Sequence, residues 1–114
     1  MSSCIFCKIA GHEIPSNVIF EDDDVFAFHD INPQAPTHAV VISKRHIDNI
    51  AASGDADAAL LGKLMRAAAV VAVETGVSET GFRVVINNGA DGGQSVDHLH
   101  VHVLGGRKLA WPPG

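Results

Sequence analysis

Only two cysteines occur in the 114 residues, both within the first seven positions. That is too few for the disulfide framework of a small secreted domain. Positive charge is also in short supply: 8 Lys and Arg against 13 Asp and Glu leave a net charge of −5. A general nucleic-acid surface needs a basic stripe, so no nucleic-acid partner is expected. A single nucleotide stays within reach, because a few backbone N–H groups suffice to hold one phosphate. No apolar run approaches the roughly 20 residues of a membrane span, and no leader-like stretch opens the chain. The expected location is the cytoplasm, with no membrane partner. Repeats, low-complexity segments and linkers are missing as well. No Gly-Lys-Thr/Ser sequence occurs, which argues against a magnesium-dependent, kinase-like mechanism. What is present is an apolar share of 46%, enough for one domain, 1–114, with its own core.

Periodicity divides that domain into strands and one long helix. Residues 17–20, 25–31 and 37–43 read as strands, the first two joined by the acidic turn Glu21 to Asp24. Pro33 and Pro36 confine the segment before the third strand to a loop. From Asp57 to Thr75 the spacing becomes helical: Leu60, Leu64, Ala68 and Val71 form a stripe flanked by Leu61, Met65 and Ala72. Asp55 or Asp57 suits the N-cap and Gly76 the C′ position. Strands follow at 82–87 and 97–104, separated by a loop from Gly89 to Ser95. One helix over five largely hairpin-connected strands predicts an α+β domain with an antiparallel sheet.

The last strand carries His98-Leu99-His100-Val101-His102-Val103-Leu104. Alternation places three imidazoles on one face, about 7 Å apart, and Leu99, Val101 and Val103 on the other, under the helix. Neighbouring imidazoles suppress one another's protonation, which keeps one neutral and nucleophilic near neutral pH. The spacing alone admits a metal site as readily as a nucleophile. The loop Asn87 to Ser95 favours the nucleophile: paired glycines followed by a hydroxyl let backbone N–H groups approach an anion just before the histidine face. A carbonyl of the strand itself, that of His98, is expected to fix the His100 tautomer.

At every position this stretch resembles the histidine-triad motif, His-φ-His-φ-His-φ-φ with φ apolar. Gly92-Gly93-Gln94-Ser95-Val96, Leu104 to Arg107, Trp111-Pro112-Pro113-Gly114 and Phe28 to His38 look like its Hint-like branch. The resemblance implies a five-stranded antiparallel sheet with one long helix and a short N-terminal helix, assembled as a homodimer. It implies a purine mononucleotide or nucleoside phosphoramidate as ligand, with cleavage of the P–N bond and no cofactor in catalysis. His100 matches the nucleophile, His102 its neighbour at the phosphate and leaving amine, and His38 the proton-relay histidine. Ser95 and the backbone at Gly93 and Gln94 match the phosphate loop, with Asn87 beside it. Asp30 matches the carboxylate on the ribose hydroxyls, although a strand-end aspartate is also an ordinary turn residue. Phe28 and Ile31 lie near the base, and His29 is placed at the base pocket. Trp111 matches a residue that reaches the partner's site, and otherwise belongs to a tail. The triad is shared with dinucleoside polyphosphate hydrolases, and a nucleotide-binding interaction protein would carry the same residues.

Cys4-Ile5-Phe6-Cys7 reads as a redox pair, as two unrelated thiols, or as half of a zinc site. Histidine-triad proteins of bacterial type imply the last, with Cys4, Cys7, His46 and His98 as ligands of a structural zinc. His12 is left without a role.

Overall fold

A computed structural model describes residues 3–114; residues 1 and 2, the start of the expected domain, lie outside the described residues. The chain opens with α1 (Ile5–Ala10), whose N-cap is Cys4, its Sγ accepting the Cys7 N–H at 3.4 Å. β1 (Val18–Glu21) and β2 (Val25–His29) form a hairpin. Its turn is closed by Asp22, whose carboxylate accepts the N–H groups of Asp24 and Val25 at 2.8 and 2.9 Å. β3 (Thr37–Ser43) has the bounds that its β-branched run predicts. β2 stops two residues short of the expected end, because the Asp30 carboxylate accepts the Asn32 N–H at 2.8 Å and turns the chain.

α2 (Ala58–Glu74) follows a 3-10 turn at Asp55–Asp57 and is the expected long helix. Asp57 precedes it, but its carboxylate reaches back to the Gly54 N–H at 2.8 Å rather than forward into the helix. At the other end Gly76 takes φ +80°, with Gly76 N–H on Val73 O and Val77 N–H on Ala72 O. That is a Schellman closure, which a glycine adopts without strain. Leu64, Ala67, Ala68, Val71 and Ala72 are buried, while Met65, expected at the edge of the stripe, is exposed. Among the described residues no helix is long and apolar enough to cross a membrane.

β4 (Phe82–Val85), the one-turn helix α3 (Gly89–Gly92) and β5 (His100–Gly105) complete the domain. The sheet is antiparallel throughout, in the order β1-β2-β3-β5-β4, so β5 lies between β3 and β4. β5 begins three residues later than the sequence suggests. The chain bends through Val96–His98, where the His98 N–H bonds Val96 O at 2.9 Å and leaves the ladder unformed.

The register assigns the two faces. Ala39 stands opposite Val103 and Val41 opposite Val101; together with Leu99 they form the larger core under α2. Val40 stands opposite His102 and Ile42 opposite His100 on the other face. There a smaller cluster of Phe26, Phe28, Val40 and Ile42 packs against Ile9 and Ala10 of α1. The sheet face that carries His100 and His102 is therefore half apolar, β2 and β3 supplying the surface on which α1 docks.

Candidate active site and metal centre

The hydrogen bonds around each ring settle which nitrogen carries its proton. His100 lies buried with Nδ1 2.6 Å from the His98 carbonyl, an acceptor only. Nδ1 must therefore donate, so in the neutral ring it is Nε2 that has the lone pair. The Gln34 N–H donates to His38 Nδ1 at 3.0 Å, which leaves the His38 proton on Nε2. That Nε2–H faces His102 Nδ1 at 2.9 Å, so neutral His102 bears its proton on Nε2. The rings of His100 and His102 meet edge to face with centroids 4.9 Å apart. A bare nitrogen and an N–H donor thus stand side by side.

Burial pushes His102 down to about 4, assisted by the neighbouring charges of His100 and His38 and opposed by Asp30. Burial likewise lowers His38, and Asp30, with Oδ2 3.5 Å from His38 Nε2, offsets part of it. Both rings are neutral at pH 7.

Beside them opens a mostly apolar cavity of about 280 Å³. Phe28, His29, Asp30 and Ile31 line it, Phe6 and Ile9 of α1 form the facing wall, and Ser95 sits at its edge. Ile31 is 98% exposed and stands at the rim. Asp30 performs the ordinary turn function weighed for it, one oxygen closing the turn with Asn32, while the other faces His38.

The glycine loop is organised differently from the expectation. Gly93 takes φ +81°, but the N–H groups of Gly93 and Gln94 close the turn onto Ala90 O and Gly89 O, each at 3.0 Å. They are engaged before any anion arrives. The Gln94 side chain is a brace, accepting from Gly89 N–H at 2.8 Å and donating to Asp48 O at 2.8 Å and Val96 O at 3.0 Å. Ser95, exposed, is the loop group that faces outward at the cavity. Asn87 is half-buried with its backbone beneath Gly92, and its neighbour Asn88 anchors the loop by accepting the Ala51 N–H. Trp111 does not line the cavity; it is 81% exposed on a tail tied to β4 by Arg83, which donates to Ala110 O.

The four expected metal ligands converge. Cys4 Sγ lies 3.3 Å and Cys7 Sγ 3.5 Å from His98 Nδ1, and Cys7 Sγ lies 3.3 Å from His46 Nδ1. All four donor atoms fall within 4.8 Å of one another. A zinc tetrahedron with bonds of about 2.1–2.3 Å has edges of about 3.4–3.8 Å, so the donor set fits that ion. Both histidines offer Nδ1 as a bare ligand nitrogen, since His98 Nε2–H donates to Ser43 O at 2.7 Å and His46 Nε2–H to Asp48 at 2.7 Å.

Sequence reasoning missed the supporting groups. Asp48, two residues after His46, was visible as a carboxylate partner for an imidazole. Phe6, between the two cysteines, packs edge-on against His100 at 5.0 Å, and nothing in its spacing announced that. The Gln34 N–H and Ser43 carbonyl are backbone groups without any sequence signature.

Comparison with known proteins gives the family. The HIT domain family matches residues 11–109, and the chain belongs to it. Among its relatives is the 14 kDa zinc-binding protein of Zea mays, 51% identical over 99% of this chain and 89% of that one. Adenylylsulfatase HINT1 of Arabidopsis thaliana is 48% identical, over 99% of this chain and 78% of its own length. In three dimensions the chain is similar to a HIT family hydrolase from Legionella pneumophila, with a TM-score of 0.95 and 50% identity over 98% of this chain and all of that one. A histidine triad protein from Clostridium difficile gives 0.93 and 46% over 96% of each.

Proposed function

We propose that the protein is a nucleoside phosphoramidase that hydrolyses AMP-amine compounds at the P–N bond through a nucleotidyl-His100 intermediate. The observation that carries this is the His100 Nδ1–H to His98 O bond, which leaves Nε2 bare beside the His102 N–H. An amine leaves phosphorus only when protonated. The phosphoryl anion entering beside His102 offsets the burial that keeps this ring neutral and holds it protonated, while the His38 Nε2–H turns from the now proton-bearing His102 Nδ1 to Asp30 Oδ2, 3.5 Å away. His100 Nε2 then forms a bond to phosphorus as the P–N bond breaks, and His102 gives its proton to the departing nitrogen. Water next attacks phosphorus, returns a proton to His102 and releases His100. Splitting one displacement into two is the advantage of the covalent route.

The nucleoside takes the cavity, with the base between Phe28 and Ile31 near His29 and the ribose hydroxyls on the Asp30 carboxylate. Ser95 donates to a phosphoryl oxygen, a contribution of roughly 3 kcal/mol in the transition state. Asn87, Gly93 and Gln94 shape that loop, and His38 orients His102. Cys4, Cys7, His46 and His98 would hold zinc, which would supply a structural cross-link between α1 and the sheet. Reduced thiols beside imidazoles suit the cytoplasm. β4 is an edge strand on which Phe82 and Val84 are each 38% exposed, which supports pairing of two β4 strands in a homodimer. The tail tied to β4 would then carry Trp111 toward the partner.

The name of the Arabidopsis relative favours one other substrate, an adenylyl group joined to sulfate. The first displacement is the same, but sulfate leaves without a proton. Rates on an adenosine phosphoramidate, adenylyl sulfate and a diadenosine polyphosphate, with mass-spectrometric trapping of adenylyl-His100, test the proposal. The expected result is fastest turnover of the phosphoramidate and at least about a 10⁴-fold loss in His100→Ala with AMP binding retained. Normal turnover by that variant would overturn it.

A further inference from the structure

His98 takes part in two constellations and joins them mechanically. Its ring is fully buried, with Nε2–H on Ser43 O and Nδ1 facing the Sγ atoms of Cys4 and Cys7 at 3.3 and 3.5 Å. Its carbonyl receives the Nδ1–H of His100 at 2.6 Å. The two thiols flank the start of α1, and α1 carries Phe6, whose ring meets His98 at 6.0 Å and His100 at 5.0 Å, edge-on to both. A six-residue helix has no stability of its own and keeps its place only through what it touches. Beyond the thiol cluster, α1 contributes only Ile9, Ala10 and part of Phe6 to the small apolar cluster.

We propose that the cluster of Cys4, Cys7, His46 and His98 is a positioning device for the nucleophile. It fixes the His98 carbonyl that holds His100 as the Nδ1–H tautomer, and it seats Phe6 against the His100 ring. The kinetic consequence rests on the hydrolase reading above; the structural one does not. When the His98 backbone shifts, the His100 proton exchanges between its two nitrogens, and every molecule with the proton on Nε2 lacks the attacking lone pair. The cluster therefore acts on the rate of phosphorus attack more than on the hold on the nucleotide: α1 lends Ile5, Phe6 and Ile9 to the cavity, and Phe28, His29, Asp30 and Ile31 are placed there by β2 and the turn after it.

The test compares three samples of the full chain: zinc-loaded, dialysed against a chelator, and Cys4→Ser with Cys7→Ser. Two-bond proton–nitrogen NMR reads the His100 tautomer, circular dichroism the fold, calorimetry the AMP affinity, and a phosphoramidate assay kcat. In the loaded protein His100 should be a single Nδ1–H tautomer. In the other two it becomes a mixture, and kcat falls roughly 10- to 100-fold, more than AMP affinity does. Zinc should restore the dialysed protein and not the variant. An unchanged His100 spectrum in all three overturns the proposal. So does an equal loss of AMP affinity and kcat, or global unfolding without metal, since the cluster would then shape the cavity or hold the fold. If the loaded protein turns over no phosphoramidate while the spectra shift as described, the hydrolase reading fails and the positioning role stands.

Discussion

On the α2 side of the sheet, Val101 and Val103 of β5 meet Ala39 and Val41 of β3 beneath Leu64, Ala68 and Val71. Among the described residues this cluster contains no titratable group. One residue along on the same two strands, His100 and His102 stand opposite Ile42 and Val40, and His38 faces the same way. A period of two lets adjacent residues serve unrelated ends. One face is dry and supplies burial. The other holds three imidazoles in a hydrogen-bonded order, each tied to a backbone carbonyl, a backbone N–H or another ring. Stability and chemistry can therefore be altered separately.

The sharpest attempt to break that separation is Leu64→Ala, which opens a hole under the sheet far from the imidazoles. It should lower the free energy of unfolding by roughly 2–5 kcal/mol in urea titration. Turnover per folded molecule at 25 °C should stay within about twofold, as surface-distant changes add independently. A matched loss of kcat would show that the faces are coupled.

His38→Phe is the converse, keeping the ring volume while removing the N–H that orients His102. Turnover of a phosphoramidate should fall roughly 10- to 100-fold, in the range lost when an orienting partner goes. The midpoint of urea unfolding should move less than in Leu64→Ala.

The smallest effect concerns pH. His102 is held down to about 4 in the folded protein by burial first and neighbouring imidazole charge second, against an ordinary value of 6.5. Between those values the unfolded chain binds the proton and the folded one does not, so stability declines as pH falls through this window and the decline levels off below about 4. Lowered His38 and His98 act in the same direction. Urea midpoints at pH 7 and pH 5 should show the loss, and His102→Gln should reduce it. A pH-independent midpoint would remove the histidine face from the stability account.

The apolar face was the more legible of the two. Alternation in Thr37 to Ser43 and the three-to-four spacing of Leu64, Ala68 and Val71 are properties of side chains, and burial obeyed them. Gly76 was legible because only a positive φ closes α2 as it does. On the histidine face the residue types were plain and their settings were not. His98 reads as a strand neighbour of His100, but the backbone bends before the ladder starts and delivers its ring to the thiols. Gln94 reads as part of a phosphate cradle, but a primary amide can satisfy three backbone groups at once, and here it does so. Backbone acceptors decide the tautomers, and a sequence does not display them.

The place of β5 between β3 and β4 has a consequence for biosynthesis. β4 is made before β5 yet pairs with nothing else, so while the chain emerges the sheet stops at β3 and one inner edge waits unpaired. Closure requires a long-range pairing supplied by the final strand, which delays folding until translation has passed Gly105. The six residues that zip the sheet shut include His100 and His102. A nascent or prematurely ended chain thus has neither a finished sheet nor a reactive imidazole, and competence for chemistry arrives in the same step as the fold.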